Sequence, residues 1–149
     1  MTKKLNLGVI GIDHGHIFDM LDEMLKEGCN CNYFWTEGNP LTLEEFKKKY
    51  PNIQRKENKE EILNDSSIDM ILISSVPVDR ANHSINALKA GKDVMVDKPG
   101  CTNLDQLNNL KKTVKETGKI WSVNFSERFH VAAVAKAEEL VSKGKIGKV

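Results

Sequence analysis

The sequence has no apolar run approaching the roughly 18 residues that a membrane span needs, so no association with a membrane is expected. The start, Met1-Thr-Lys-Lys, resembles the charged head of a secretory signal. However, Asn6 and Gly8 interrupt the apolar stretch Leu5 to Ile12, and Asp13 and His14 end it, which argues against export. An excess of either charge is also missing. The chain has 22 Lys and Arg against 21 Asp and Glu, a formal net charge of +1, so no domain-wide basic field exists to hold nucleic acid. Cysteines number only three (Cys29, Cys31 and Cys101). An odd count without framework spacing speaks against a disulfide scaffold and fits a reducing cytoplasm. There is no internal repeat and no low-complexity segment. What is present is 149 residues, 40% hydrophobic and 29% charged, the profile of one globular domain with its own core.

Short β-rich runs alternate with helical patterns. Leu5 to Gly11 predicts a buried strand. Ile17, Met20, Leu21, Met24 and Leu25 then lie on one face of a helix closed by Gly28. Asn32 to Trp35 predicts a second strand. Leu43 to Tyr50 and Lys59 to Leu63 predict short helices, the first stopped by Pro51. The near-continuous apolar run Ile68 to Ile73 suits a central parallel strand covered on both faces. Beyond it come a helix over 79–90, a strand at 94–96, a helix opened by Thr102 with Leu104, Leu107, Leu110 and Val114 inward, a strand over 120–125 and a helix over 131–142. The order β-α-β-α-α-β-α-β-α-β-α implies an α/β fold, a doubly wound, mostly parallel sheet in three α/β/α layers, the Rossmann type. Trp35 and Trp121 read as packing in the sheet core. Cys29 and Cys31 read as core or edge residues with thiols on alternate faces, and Cys101 as packing under a turn.

Such sheets bind ligands beyond the carboxyl ends of their strands, so the residues following each strand are the candidates. Gly11 to Ile17 occupies the place of a phosphate-binding turn, where Gly11, Ile12, Asp13, His14 and His16 would meet a dinucleotide. Read as G-x-G-x-x-G, only Gly11 is kept, because Asp13 and His16 hold the other two glycine positions. His14 and His16 either donate to a phosphate or substrate or form a polar helix start with Asp13 as N-cap. With no third ligand nearby in sequence, no metal site is expected. Glu37 stands about 26 residues past Gly11, slightly beyond the usual spacing of roughly 20. It is either an acceptor for ribose hydroxyls, which favours NAD over NADP, or a solvated loop residue. No arginine follows closely to receive a 2′-phosphate. Ser74, Ser75 and Pro77 end the most buried strand, with Arg80 and His83 in the next helix as ligand contacts or plain helix residues. In Asp97-Lys98-Pro99 the proline keeps Lys98 extended at a strand end. There its ammonium can polarise a hydroxyl or move a proton, tuned by Asp97, or else form a bland surface ion pair.

Order and spacing together resemble a known pattern. Ala87-Leu-Lys-Ala-Gly91-Lys-Asp-Val-Met-Val-Asp97-Lys-Pro99 is similar to a signature of the glucose–fructose oxidoreductase/inositol dehydrogenase (Gfo/Idh/MocA) family. So are Val9-Ile-Gly11, Phe125-Ser-Glu-Arg128-Phe and the closing run Glu139 to Val149. The resemblance implies an NAD- or NADP-dependent oxidoreductase acting on a secondary hydroxyl of a sugar, cyclitol or related polyol. Lys98 would lie near the nicotinamide and the reacting hydroxyl, and the turn Gly11 to His16 would hold the pyrophosphate. It also implies a cofactor domain over 1–145 and, from 146–149, entry into a substrate domain that this chain lacks. The chain alone would then be an inactive fragment of a homo-oligomeric enzyme. The pattern's usual glutamate is Asp97 here, and a histidine often found after the proline turn falls at Ala81. A non-catalytic nucleotide sensor, or a relative using transient oxidation for hydrolysis or elimination, stands as the alternative.

Overall fold

The computed structural model describes residues 4–126 and 131–148. Six strands are present: β1 (Asn6–Ile12), β2 (Asn30–Trp35), β3 (Gln54–Arg55), β4 (Met70–Ser74), β5 (Asp93–Asp97) and β6 (Trp121–Asn124). They form one sheet in the order β3-β2-β1-β4-β5-β6, and every adjacent pair is parallel. The helices are α1 (His16–Lys26), α2 (Leu43–Lys49), α3 (Lys59–Leu63), α4 (Pro77–Lys89), α5 (Leu104–Thr117) and α6 (Ala132–Ser142). The strand order reverses between β1 and β4, and this switch point opens a crevice at the carboxyl ends of the two strands.

Two cores, one on each face of the sheet, explain the continuous apolar runs. In β4, Met70 and Leu72 join Leu7, Val9, Ile17, Leu21, Phe34 and Phe46 on one face. Ile71 and Ile73 join Ile10, Ile62, Ala87, Leu88, Val94 and Leu110 on the other. A period of two with both faces covered leaves no exposed position in the central strand β4. Trp35 and Trp121 pack partly buried against the second core. Among the described residues no helix is long and apolar enough to cross a membrane.

Several local expectations are corrected. The sheet gains β3, too short and too polar to announce itself by periodicity. Helix α4 starts at Pro77, whose fixed φ suits a first turn, rather than at Asp79. The N-cap of α5 is Asn103, whose side chain accepts from the Gln106 amide, while Thr102 bonds the Gln106 side chain. Leu104 is consequently turned out, 75% exposed. Cys29 and Cys31 pack against the same core, as residues two apart on an extended chain must. Burial pushes the Cys31 thiol up to about 12, which makes it inert. Cys101 packs against the second core. Of the motif residues singled out in the sequence, Glu127, Arg128, Phe129 and Val149 lie outside the described residues.

Candidate functional site

The switch point is built around a glycine contact. Gly11 has φ +75, and a Cβ there would lie 2.4 Å from Ser75 Cβ and 2.6 Å from its Cα. Only glycine fits, because the backbone conformation disfavours any side chain and the neighbour is backbone. Two clefts flank this contact, sharing Asp13, Ser75 and Val76. One, of about 180 Å³, is walled by Trp35, Glu37, Gly38 and His83. The other, of about 300 Å³, is walled by His14, Pro77, Lys98 and Pro99. Glu37 and Lys98 thus stand at opposite ends of one crevice.

Beneath the crevice lies a buried ion pair. Asp97 is 0% exposed and Arg80 1%. Arg80 Nε donates to the Ser75 carbonyl at 2.7 Å. Its Nη1 donates to the carbonyls of Asp97, Lys98 and Pro99 at 3.1, 2.5 and 3.4 Å, and its Nη2 lies 3.0 Å from Asp97 Oδ2. The guanidinium therefore clamps the turn after β4 to the turn after β5, and Arg80 also lines the Lys98 cleft. Asp97 likewise turns its carboxylate towards His14 and His16 as well as Arg80. His16 Nδ1 is 2.8 Å from Oδ1 and His14 Nδ1 is 3.2 Å from Oδ2. A third ligand-type group, 81 residues away in sequence from His16, has joined the two histidines.

The other candidates sort by what they touch. Ile12 buries its side chain in the core, and its carbonyl accepts from the Thr42 hydroxyl. Ser74 is buried, and its Oγ donates to the His14 carbonyl at 3.1 Å. Both side chains are therefore committed to packing and to the turn. Asp13 is not the N-cap of α1, because Gly15 holds that position without a side-chain bond. Asp13 instead lines both clefts. Burial pushes its carboxyl above the usual range, its own backbone hydrogen bond opposes this, and Asp79 and Glu37 add to the rise.

Residues 5–125 match the oxidoreductase family with an NAD-binding Rossmann fold, Gfo/Idh/MocA. The chain belongs to this family. The NADP-dependent scyllo-inositol 2-dehydrogenase of Bacillus subtilis is 24% identical over 95% of this chain and 38% of its own length. The NAD-dependent scyllo-inositol 2-dehydrogenase of the same organism is 35% identical over 59% of this chain and 25% of its own. A solved structure from Erwinia carotovora atroseptica, described as an oxidoreductase, superposes with a TM-score of 0.86 at 33% identity. It is covered over 42% of its length by 95% of this chain. The chain thus spans at most 42% of any of these three proteins.

In this Gfo/Idh/MocA domain, the two lysines of the Gly91-to-Pro99 segment divide their work. Lys92 is buried and donates to the carbonyls of Asp65 and Ile68, so it braces the fold, whereas Lys98 remains at the crevice. One further site residue escaped the sequence reading. Arg55 of β3 donates to the carbonyls of Thr36 and Gly38 and to Asn39 Oδ1. A guanidinium does therefore lie at the Glu37 loop, and it weakens the lean towards NAD. His83, placed by sequence inside a helix, faces the Glu37 cleft edge-on to Trp35, with ring centroids 5.8 Å apart. Its buried Nδ1 has no hydrogen-bond partner.

Burial, reinforced by Lys59, holds the His83 imidazole below its ordinary value of 6.5, while Asp79, Glu37 and Glu60 oppose the shift. The folded chain therefore binds fewer protons here than the unfolded chain once the pH drops below about 6.5. Its stability is intact above that pH and declines beneath it. His83→Gln is expected to flatten the loss of melting temperature between about pH 7 and pH 5. Unchanged pH profiles for the two proteins would contradict this.

Proposed function

We propose that residues 1–145 form the NAD(P)-binding unit of a dehydrogenase that exchanges hydride between the nicotinamide and a secondary hydroxyl of a cyclitol- or polyol-like substrate. The observation that carries the reading is the paired cleft across the Gly11–Ser75 contact, with an acid at one end and Lys98 at the other. The residues fit a dinucleotide. The rings of Trp35 and His83, which wall the Glu37 cleft, suit packing against an adenine base. Glu37 can accept from ribose hydroxyls, and nothing lies within 4 Å of a Cβ placed at Gly15, leaving room at the amino end of α1. The cofactor is NAD or NADP, since Glu37 supports the first and Arg55 the second.

Bound nicotinamide supplies the hydride acceptor or donor. The chain's own part is to place Lys98 beside the reacting hydroxyl, where its amine can polarise the oxygen or accept its proton. Arg80 holds the carbonyls of Asp97, Lys98 and Pro99 and so fixes where that amine starts from. The polyol substrate and the homo-oligomeric assembly rest on the family resemblance, and the cytoplasmic setting on three free cysteines. The complete gene product, assayed for NAD(P)H formation with a panel of cyclitols and polyols, is expected to turn over at least one of them. Lys98→Met should lower kcat by about 10²-fold or more with cofactor affinity kept. Unchanged kcat would remove Lys98 from the chemistry.

A further inference from the structure

We propose that His14, His16 and Asp97 form a site for a divalent transition-metal ion of the zinc class, with an open coordination position at the crevice mouth. The three groups are of the types that zinc takes, and one ligand atom from each lies within 4.8 Å of the others. His16 Nδ1 lies 2.8 Å from Asp97 Oδ1 and His14 Nδ1 3.2 Å from Asp97 Oδ2, so both histidines reach the same carboxylate, and tetrahedral bonds of about 2.0–2.1 Å need ligand atoms roughly 3.3 Å apart.

His14 Nδ1 lies 3.4 Å from the backbone nitrogen of His16. It faces Asp97 Oδ2, a fully buried oxygen with no aligned hydrogen bond, although Arg80 Nη2 sits 3.0 Å away. The ligands are also held in place, as metal ligands usually are. The His14 amide donates to the Ser74 carbonyl and its carbonyl accepts from Ser74 Oγ, while Arg80 secures Asp97. With the His14 side chain half exposed and lining the Lys98 cleft, three protein ligands leave a fourth position for water or a substrate oxygen, the arrangement of an open rather than a closed zinc site. The positive charge of Arg80 opposes the ion, so micromolar rather than nanomolar binding is expected.

The test is a nucleotide-free titration of metal-stripped chain with Zn2+ by calorimetry and with Co2+ by visible absorption. One equivalent should bind, with the d–d bands of low-coordinate cobalt. His14→Ala and His16→Ala should each weaken binding about 10–100-fold, at least the cost of losing an outer-shell partner, in variants whose circular dichroism matches the parent. Cys29→Ser with Cys31→Ser should bind as the parent does. Absence of Zn2+ binding at millimolar concentration, or affinity unchanged in both histidine variants, would overturn the proposal and leave a proton-bridged histidine pair. Because no nucleotide is present, either result is independent of the cofactor reading.

Discussion

Gly11→Val is expected to destabilise the chain by about 2–5 kcal/mol and to lower its melting temperature by roughly 6–20 °C. Two penalties combine. A β-branched residue at φ +75 costs about 1–2 kcal/mol by conformation alone. The new Cβ also meets Ser75 at 2.4–2.8 Å, three contacts that include the backbone N and Cα and cannot be relieved by turning a side chain. That overpacking costs about 1–3 kcal/mol more. Moving Ser75 aside would disturb the wall common to both clefts, so affinity for a dinucleotide should fall together with stability. Gly15→Ala is the informative partner. Its φ is −61 and its Cβ would touch nothing, so stability should stay within about 1 kcal/mol. Any loss of nucleotide affinity in that variant would report ligand contact rather than folding. Thermal melts of both variants check the claim, and equal effects at the two glycines would contradict it.

The second large effect is expected at Arg80. Arg80→Met removes the only guanidinium described beside a carboxylate that is 0% exposed, and frees the carbonyls of Ser75, Asp97, Lys98 and Pro99. Breaking a buried pair by deleting one member costs about 3–5 kcal/mol, because the other charge stays buried. Adding Asp97→Asn to the methionine variant removes that orphaned charge. The double variant should therefore be more stable than the sum of the single changes implies, by about 0.5–3 kcal/mol. Urea denaturation of the four proteins closes the cycle. Simple additivity would show that Arg80 acts through its carbonyl contacts and not through Asp97.

The fold was legible because its determinants are local or periodic. The run Ile68 to Ile73 could hardly be anything but a covered parallel strand, and Gly28 and Gly91, with φ +87 and +77, ended the helices before them as expected. Short polar β3 was not legible, since two residues carry no period. The site was legible only in part. Gly11 and Lys98 could be found because turn geometry and the following proline act on adjacent residues. The clamping role of Arg80 was not legible because its partners are mainly backbone carbonyls up to 19 residues on, which no side-chain pattern records. The His14–His16–Asp97 cluster joins two chain segments only when β1 and β5 lie on either side of β4. The Arg55 contact with the Glu37 loop depends on the unannounced β3.

Binding of a dinucleotide across the Gly11–Ser75 contact is measured by titrating the chain with NADH and with NADPH while following Trp35 fluorescence and heat of binding. Saturable binding of one equivalent of at least one of them is expected, with quenching of Trp35 and with affinity lost in Gly11→Val. Glu37→Gln should weaken NADH by about 10-fold, the worth of a hydrogen bond to a charged acceptor, and leave NADPH unchanged or improved. A folded chain that binds neither nucleotide would contradict the account.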